Sequence, residues 1–319
     1  MKRFLIIFNP VSGSNPKKNL KKIKQIKKGL KKHYQSGNSE EKTCKVKVYK
    51  TKHAGDGIDY VANYQKPFDV IVAAGGDGTV NEVINGLIQY DQKNPDAKYK
   101  VATIATGTTN VLAMELGLPT KINDIVAMLV AEKTDDIYLG RINGRRFILM
   151  AGVGFDAWVV DNVNLDLKKK VGKLAYVWSM LKQIWNFGKK TYQVTVNEGM
   201  DSEQILLANS MIITNGKLYG GQHILSRNAD LTKNTTQIIL LRGKSPLGLL
   251  PVVLALPFNM AEKMPGVVSL EAKSIKVELL DSEKYQGKEP VQADGDSIAE
   301  LPLDLVMEDQ SISLVTVQK

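Results

Sequence analysis

The sequence predicts two domains. The first is an α/β N-terminal domain with a doubly wound parallel sheet over residues 1–134. The second is a mostly antiparallel, β-sandwich-like domain over 135–319, with the last strand a candidate to return to the first domain. Three observations predict this. The chain has 319 residues, and at about 100–200 residues per domain that length suits two. Short apolar runs alternate with helical spacings as far as about residue 130, the pattern of strands joined by crossover helices. Asn143-Gly144 then stands between two strand-like runs and marks a hairpin, after which strand patterns dominate.

Each element has its own reason. Phe4–Phe8 is an uninterrupted apolar run followed by a turn rich in Gly, Ser and Asn. Lys17–Lys32 carries Leu20, Ile23, Ile26 and Leu30 at helical spacing among lysines, so one stripe is apolar and the rest is charged. Lys45–Thr51 alternates as a strand does, and Gly57–Asn63 reads as a helix. Val70–Ala74 is wholly apolar and ends in Gly75-Gly76, as a buried parallel strand would. Val80–Tyr90 is a helix, Lys100–Ile104 a strand and Val111–Leu116 a helix. In the second domain Ile137–Ile142 and Arg145–Met150 form the hairpin. Tyr192, Val194 and Val196 alternate with polar residues, and Leu206–Thr214, Thr236–Leu241, Ser274–Leu280 and Ser311–Val317 read as strands. Lys168–Phe187 is the one long helical pattern there, with Val171, Leu174, Trp178, Leu181 and Trp185 on one stripe.

Composition excludes several classes. Hydrophobic residues make up 43% and charged residues 24%, which is ordinary for a globular chain and unlike disorder or a disulfide scaffold. The longest apolar run, Leu247–Phe258, falls short of the roughly 20 residues a transmembrane helix needs. The apolar start Phe4–Phe8 is too short for a signal peptide and runs into Asn9-Pro10. Cys44 is the single cysteine and cannot form an internal disulfide, which suits a reducing, cytoplasmic compartment. His33, His53 and His223 lack metal-ligand spacing. The net charge is +10, yet residues 1–52 alone hold 16 Lys/Arg against Glu40 and Glu41. The basic character therefore belongs to one segment, and the remainder of the chain is slightly acidic.

The most informative stretch is Gly75-Gly76-Asp77-Gly78-Thr79-Val80-Asn81-Glu82, between an apolar strand and a helix. Glycines at such a junction let backbone N–H groups approach a phosphate, and the helix N-terminus adds unpaired donors and partial positive charge. Neither the Walker pattern nor the dinucleotide Gly-x-Gly-x-x-Gly fingerprint is present.

With these residues the sequence resembles the diacylglycerol kinase catalytic-domain superfamily, which includes bacterial lipid kinases and sphingosine kinases. Five further segments resemble its motifs in order: Asn9-Pro10-Val11-Ser12-Gly13, Thr51–Gly57, Gly107–Ala113, Gly152–Ala157 and Asp294-Gly295-Asp296. The resemblance implies an ATP site between two domains, lined by Asn9, Thr51, Gly75, Gly76, Asp77, Gly78, Thr79, Asn81, Glu82 and Thr108. It implies Mg²⁺ held by Asp77 and Asp294, and catalytic roles for Asp77, Asp294 and Asp296, one of which accepts the proton of the substrate hydroxyl. Phosphoryl transfer needs positioning and charge neutralisation above all, and these residue types supply both.

Three positions depart from the family pattern. Val111 follows Asn110 where many members have Asp, Asp296 stands where Glu is usual, and Lys233-Asn234 replaces an Asp-Gly that some bacterial members use for an accessory Mg²⁺. The reading is therefore an ATP- and Mg²⁺-dependent lipid kinase of lipid metabolism and phospholipid biosynthesis, with a diacylglycerol-like acceptor. Phe155, Leu247–Leu256 and the Lys168–Phe187 helix are candidate walls for the acyl chains. The lysines of 17–32, with Lys168–Lys170 and Lys189-Lys190 at the ends of the Lys168–Phe187 helix, suggest peripheral attraction to an anionic membrane surface, whereas the basic segment lacks the aromatic interleaving of a nucleic-acid motif. An NAD kinase, which shares a Gly-Gly-Asp-Gly-Thr core, is one rival. A non-catalytic lipid- or nucleic-acid-binding module is another.

Overall fold

The computed structural model describes residues 1–36, 41, 43–162, 179, 182–243, 245–285 and 287–317. The chain forms two compact units, Met1–Ile137 with Ser311–Lys319 and Tyr138–Gln310.

In the first unit strands and helices alternate: β1 (Lys2–Phe8), α1 (Pro16–Gln35), β2 (Cys44–Lys50), α2 (Asp56–Ala62), β3 (Val70–Gly75), α3 (Asp77–Lys93), β4 (Lys100–Ala105), α4 (Val111–Glu115) and α5 (Ile122–Ala131). The strands are parallel, in the order β2-β1-β3-β4. Every residue of β3 is buried, as its unbroken apolar run required. Ile23, Ile26, Leu30 and Tyr34 of α1 pack on Phe4, Ile6, Phe8, Val70 and Val72, so the lysines between them are left facing water. Asn15 caps α1 by accepting the Lys18 amide at 3.0 Å, and Pro16 suits the first turn. Helix α3 starts at Asp77, three residues before the apolar spacing indicated, because the carbonyl of Gly76 already accepts the Thr79 amide.

The second unit opens with β5 (Thr134–Ile142), whose first residues belong to the first unit, then β6 (Arg145–Phe147), β7 (Met150–Val153) and α6 (Phe155–Asp161). Asn143 and Gly144 both have positive φ, 47° and 87°, the geometry a two-residue hairpin turn demands. There follow β8 (Tyr192–Val196), β9 (Gln204–Ala208), β10 (Ser210–Thr214), β11 (Leu218–Tyr219), β12 (His223–Ile224), β13 (Thr236–Leu241), α7 (Pro246–Ala255), β14 (Val267–Ala272), β15 (Ser274–Leu279), β16 (Pro290–Ala293), β17 (Asp296–Glu300) and β18 (Leu303–Val315). One antiparallel sheet runs β14-β13-β10-β7-β16-β17, while β15 pairs with β8, β8 with β9, and the first residues of β18 with β15. Side chains of both sheets meet in one core around Phe147, Tyr192, Met211, Ile238 and Leu305, which makes the unit a β-sandwich.

The expected fold class holds, and several elements differ in detail. Leu206–Thr214 is two strands in different sheets, because Asn209 turns the chain between them. Its side-chain amide donates to the Lys190 carbonyl at 2.8 Å and its Oδ1 accepts the Gly243 amide at 3.1 Å. The expected strand Ser311–Val317 is the end of β18, where Leu314 lies beside Val101 of β4 in parallel. Most of the helix expected over Lys168–Phe187, including Trp178, lies outside the described residues. Its described end forms a tight turn, Ile184–Asn186. Among the described residues no helix is long and apolar enough to cross a membrane.

Candidate active site

In the first unit the loops that leave β1, β3 and β4 interlock. A β-carbon on Gly107 would lie 2.5 Å from the Gly76 Cα, and one on Gly13, whose φ is +73°, would lie 2.3 Å from the Thr106 carbonyl oxygen. Asn19 ties the loops together, since its amide donates to the carbonyls of Ser12 at 2.7 Å and Thr106 at 3.0 Å. The Gly107 amide donates to Asn110 Oδ1 at 2.8 Å, and Asn110 Nδ2 returns a bond to the Gly107 carbonyl. The result is a set of close-packed glycine turns beside the first turn of α3, and a helix N-terminus is the kind of place that suits phosphate.

The expected site residues divide by what they touch. Asp77 does not stand free for a metal: Oδ2 accepts the Val111 amide at 2.9 Å and Oδ1 the Leu112 amide at 3.1 Å. It thereby caps α4, a helix with no cap from its own Asn110 side chain. Burial lifts the Asp77 carboxyl above its ordinary range, although the two amides oppose the rise. Glu82 accepts the amides of Gly55 at 2.9 Å and Gly57 at 3.0 Å, which fastens the Thr51–Gly57 segment to α3. In that segment burial opposes ionisation of Asp56, but the Tyr49 hydroxyl and Lys52 amide prevail and hold its carboxyl below the usual range. Thr51 and Thr79 are buried and Thr108 is exposed. Thr79 sits against Gly75, where a β-carbon would come within 2.0 Å of Thr79 Oγ1. Asn9 Oδ1 accepts the Val11 amide at 3.1 Å. Asn81 is buried and takes the Asn85 amide on both its carbonyl and its Oδ1. Gly78 lies in the first turn of α3.

In the second unit Asp294 and Asp296 have opposite surroundings. Asp294 is buried, with φ 49°, and accepts the amides of Ile148, Leu149 and Met150 at 3.0, 2.9 and 3.2 Å. Asp296 is exposed at the start of β17, and its carboxylate has no side-chain partner among the described residues. Beside this turn Asp156 is buried and accepts Gln292 Nε2 at 2.6 Å and the Tyr219 hydroxyl. Gln292 Oε1 in turn accepts the Gly295 amide at 3.1 Å, so the buried acid reaches the turn through one amide side chain. Burial pushes both the Asp156 carboxyl and the Tyr219 hydroxyl upward. Glu289 is also buried and accepts the Tyr192 hydroxyl at 2.5 Å, Trp158 Nε1 at 2.9 Å and the Lys190 ammonium.

Asn19, Gln292, Tyr219 and Glu289 escaped the sequence reading, because their roles come from partners far along the chain. A polar residue in an apolar strand, as Gln292 is, was the one available signal. No cluster of three or more His, Cys, Asp or Glu residues able to hold a metal occurs among the described residues. Asp77 accepts two backbone amides and Asp294 three, which leaves each carboxylate part of its capacity for a metal, whereas Asp296 has no side-chain partner among the described residues. Over 229–236, Asp230 Oδ1 accepts the Thr232 amide and hydroxyl at 2.9 and 2.8 Å. Burial opposes ionisation there, but these donors and the ammonium groups of Lys217 and Lys233 keep Asp230 ionised.

Comparison with known proteins gives two matched stretches. Residues 3–142 match the diacylglycerol kinase catalytic domain, and residues 150–316 match the YegS C-terminal NAD kinase beta sandwich-like domain. A diacylglycerol kinase of Bacillus subtilis is 30% identical across 76% of this chain and 74% of its own length. One of Staphylococcus carnosus is 29% identical across 99% of this chain and 95% of its own. A crystal structure of a diacylglycerol kinase from Bacillus anthracis, described there as putative, covers 99% of this chain and 95% of that one, with a TM-score of 0.75 at 22% identity. With both of its halves matched in series and relatives alike along most of their length, the chain belongs to the diacylglycerol kinase family of lipid kinases.

Proposed function

We propose that this kinase transfers the γ-phosphate of ATP to the hydroxyl of a diacylglycerol-like lipid at an anionic membrane surface. The observation that carries the reading is the close approach of Gly76 and Gly107 over the first turn of α3, with Asp77 holding the amides of α4 beside it. On this proposal the first turn of α3 offers its N-terminal backbone donors to phosphate oxygens, with glycines in place of side chains beside it. In this reading the first unit holds the nucleotide, with Asn9, Thr51, Thr79 and Thr108 as further polar contacts. Mg²⁺, arriving with the phosphates, neutralises their charge and prefers oxygen ligands. Asp296 is the carboxylate free to take the proton of the lipid hydroxyl. Asp294 is a positioning residue that fixes the turn from which Asp296 projects.

The name of the second matched domain favours one rival, transfer to NAD. A single panel separates the readings: labelled ATP and Mg²⁺ with diacylglycerol, ceramide, sphingosine, phosphatidylglycerol and NAD as acceptors. Labelled phosphatidic acid is the expected product. Label on NAD and on no lipid would replace this reading with the rival.

A further inference from the structure

Helix α7 is apolar on both of its faces. Leu249 and Val252 point inward, into a core with Phe187, Ile212, Ile239 and Ala261, and Ala255 is buried as well. The opposite stripe is apolar too, and it is open to solvent: Leu247 is 77% exposed, Leu250 42% and Leu254 61%. The turn Leu256–Phe258 continues the stripe with Phe258, 74% exposed. Ile184 and Phe187 pack into the same core as the inward face of α7, and between them Trp185 projects outward, 70% exposed. Isolated exposed leucines need no explanation, but a contiguous set with an indole and a phenyl ring does.

We propose that this face enters the surface of an anionic bilayer. The choice of occupant rests on charge. Residues 182–189 and 242–263 carry Lys182, Lys189, Arg242 and Lys263 among their described residues against one acid, Glu262, while Lys190 is paired with the buried Glu289. Glu262 is engaged by the Ser226 hydroxyl and the Arg227 amide. An apolar surface with an indole and a basic surround matches acyl chains below anionic headgroups, where tryptophan and snorkelling lysine are both favoured. A polar protein partner would leave the leucines unmatched. The inference rests on the lipid-kinase reading only for the reason a bilayer is visited at all.

The test uses the full chain and flotation with phosphatidylcholine vesicles, with and without phosphatidylglycerol. The double substitution Leu250→Asp and Leu254→Asp should weaken partition by about tenfold or more, since each leucine loses its apolar burial. Its near-ultraviolet circular dichroism should match the unsubstituted chain, because both side chains face solvent. Brominated lipid should quench part of the tryptophan emission, and Trp185→Phe should remove that part. Unchanged partition in the double variant, or unchanged quenching in Trp185→Phe, overturns the proposal. So does a lipid-free dimer that the double substitution dissociates, since a second copy would then be the occupant. Transfer to a soluble short-chain diacylglycerol reads the function separately. Docking through this face without any transfer refutes the function and leaves the surface standing.

Discussion

Gly76 and Gly107 touch backbone to backbone: a β-carbon on Gly107 would fall 2.5 Å from the Gly76 Cα. The loops after β3 and β4 are thus fitted to one another with no allowance for a side chain. Gly107→Ala should push them apart by something near 1 Å, a displacement that costs about 10²-fold in a positioned site. The expected outcome is a comparable fall in kcat/KM for ATP, read by labelled transfer, with a stability loss of about 1–3 kcal/mol from overpacking.

Asp77→Asn preserves shape but offers one acceptor where the amides of Val111 and Leu112 need two. Leaving an amide unpaired costs about 1–3 kcal/mol when it is buried. The variant should fold, melt lower and lose transfer by about two orders of magnitude. Near-unchanged transfer by a folded variant would remove Asp77 from the working site.

Asp294 and Asp296 should separate cleanly in a paired experiment. Asp294→Ala strips three backbone amides of their acceptor and should destabilise by about 3 kcal/mol or more in urea unfolding. Asp296→Asn touches nothing in the fold and should stay within about 0.5 kcal/mol. It should nonetheless lose most transfer, at about 10²-fold or beyond for a missing general base, while ATP binding is kept. Asp296→Glu should restore transfer. A fully active Asp296→Asn enzyme would assign the proton to another group.

Asp156 gives a pH test with a definite sign. Burial raises its carboxyl above the ordinary 3.8, so the folded chain keeps a proton that the unfolded chain has released. Stability is therefore greatest below the unfolded value and falls as pH rises through the folded one. Asp156→Asn removes that titration and keeps one acceptor oxygen for the two donors, Gln292 Nε2 and the Tyr219 hydroxyl. Its stability relative to the parent should grow as pH rises above the unfolded value, as measured by urea unfolding at each pH. A difference independent of pH would mean that Asp156 is ionised throughout.

Helix α1 presents Lys17, Lys21, Lys24 and Lys28 to solvent without an ion pair among the described residues. Near an anionic bilayer each lysine is worth about 1 kcal/mol. Replacing the four by Gln should weaken vesicle binding, and added salt should weaken the parent more than the variant, the Debye length being about 8 Å at 0.15 M. Equal binding by both in low salt would make the lysines a solvated face and no more.

How much was readable beforehand depended on sequence distance. Val70–Ala74 and the glycines after it announced a buried strand and a phosphate-type loop through local chemistry alone. Met150–Val153 and Pro290–Ala293 did not announce themselves, since they are short and hold small or polar residues such as Gly152 and Gln292. Helix α7 escaped because residues on both of its faces are apolar and Pro251 sits inside it, which erases the helical period. Asp294 looked like a turn residue with a catalytic partner. Its actual partners are amides 144 to 146 residues away, and no spacing rule reaches that far. Likewise the motif residues Asp77 and Glu82 were found by pattern, but their tasks, fastening α4 and the Thr51–Gly57 segment, are visible only in the folded chain.

Strand β18 starts in the second unit and ends in the first, where Leu314 lies beside Val101 and the Thr316 amide donates to the Lys133 carbonyl. The polypeptide therefore passes between the units twice, near residue 137 and again near residue 310. A nick near residue 310 leaves the units covalently joined at residue 137, whereas a nick near 137 leaves the two fragments held only by the pairing of the last strand with β4. Order of synthesis is constrained in the same way: the parallel sheet, complete as far as β4 at Ala105, has to wait about two hundred residues, until Ser311, before its neighbour beside β4 exists. A ribosome-bound chain stopped after the first crossing would expose that side of β4, and the strand that covers it is among the last parts to be made.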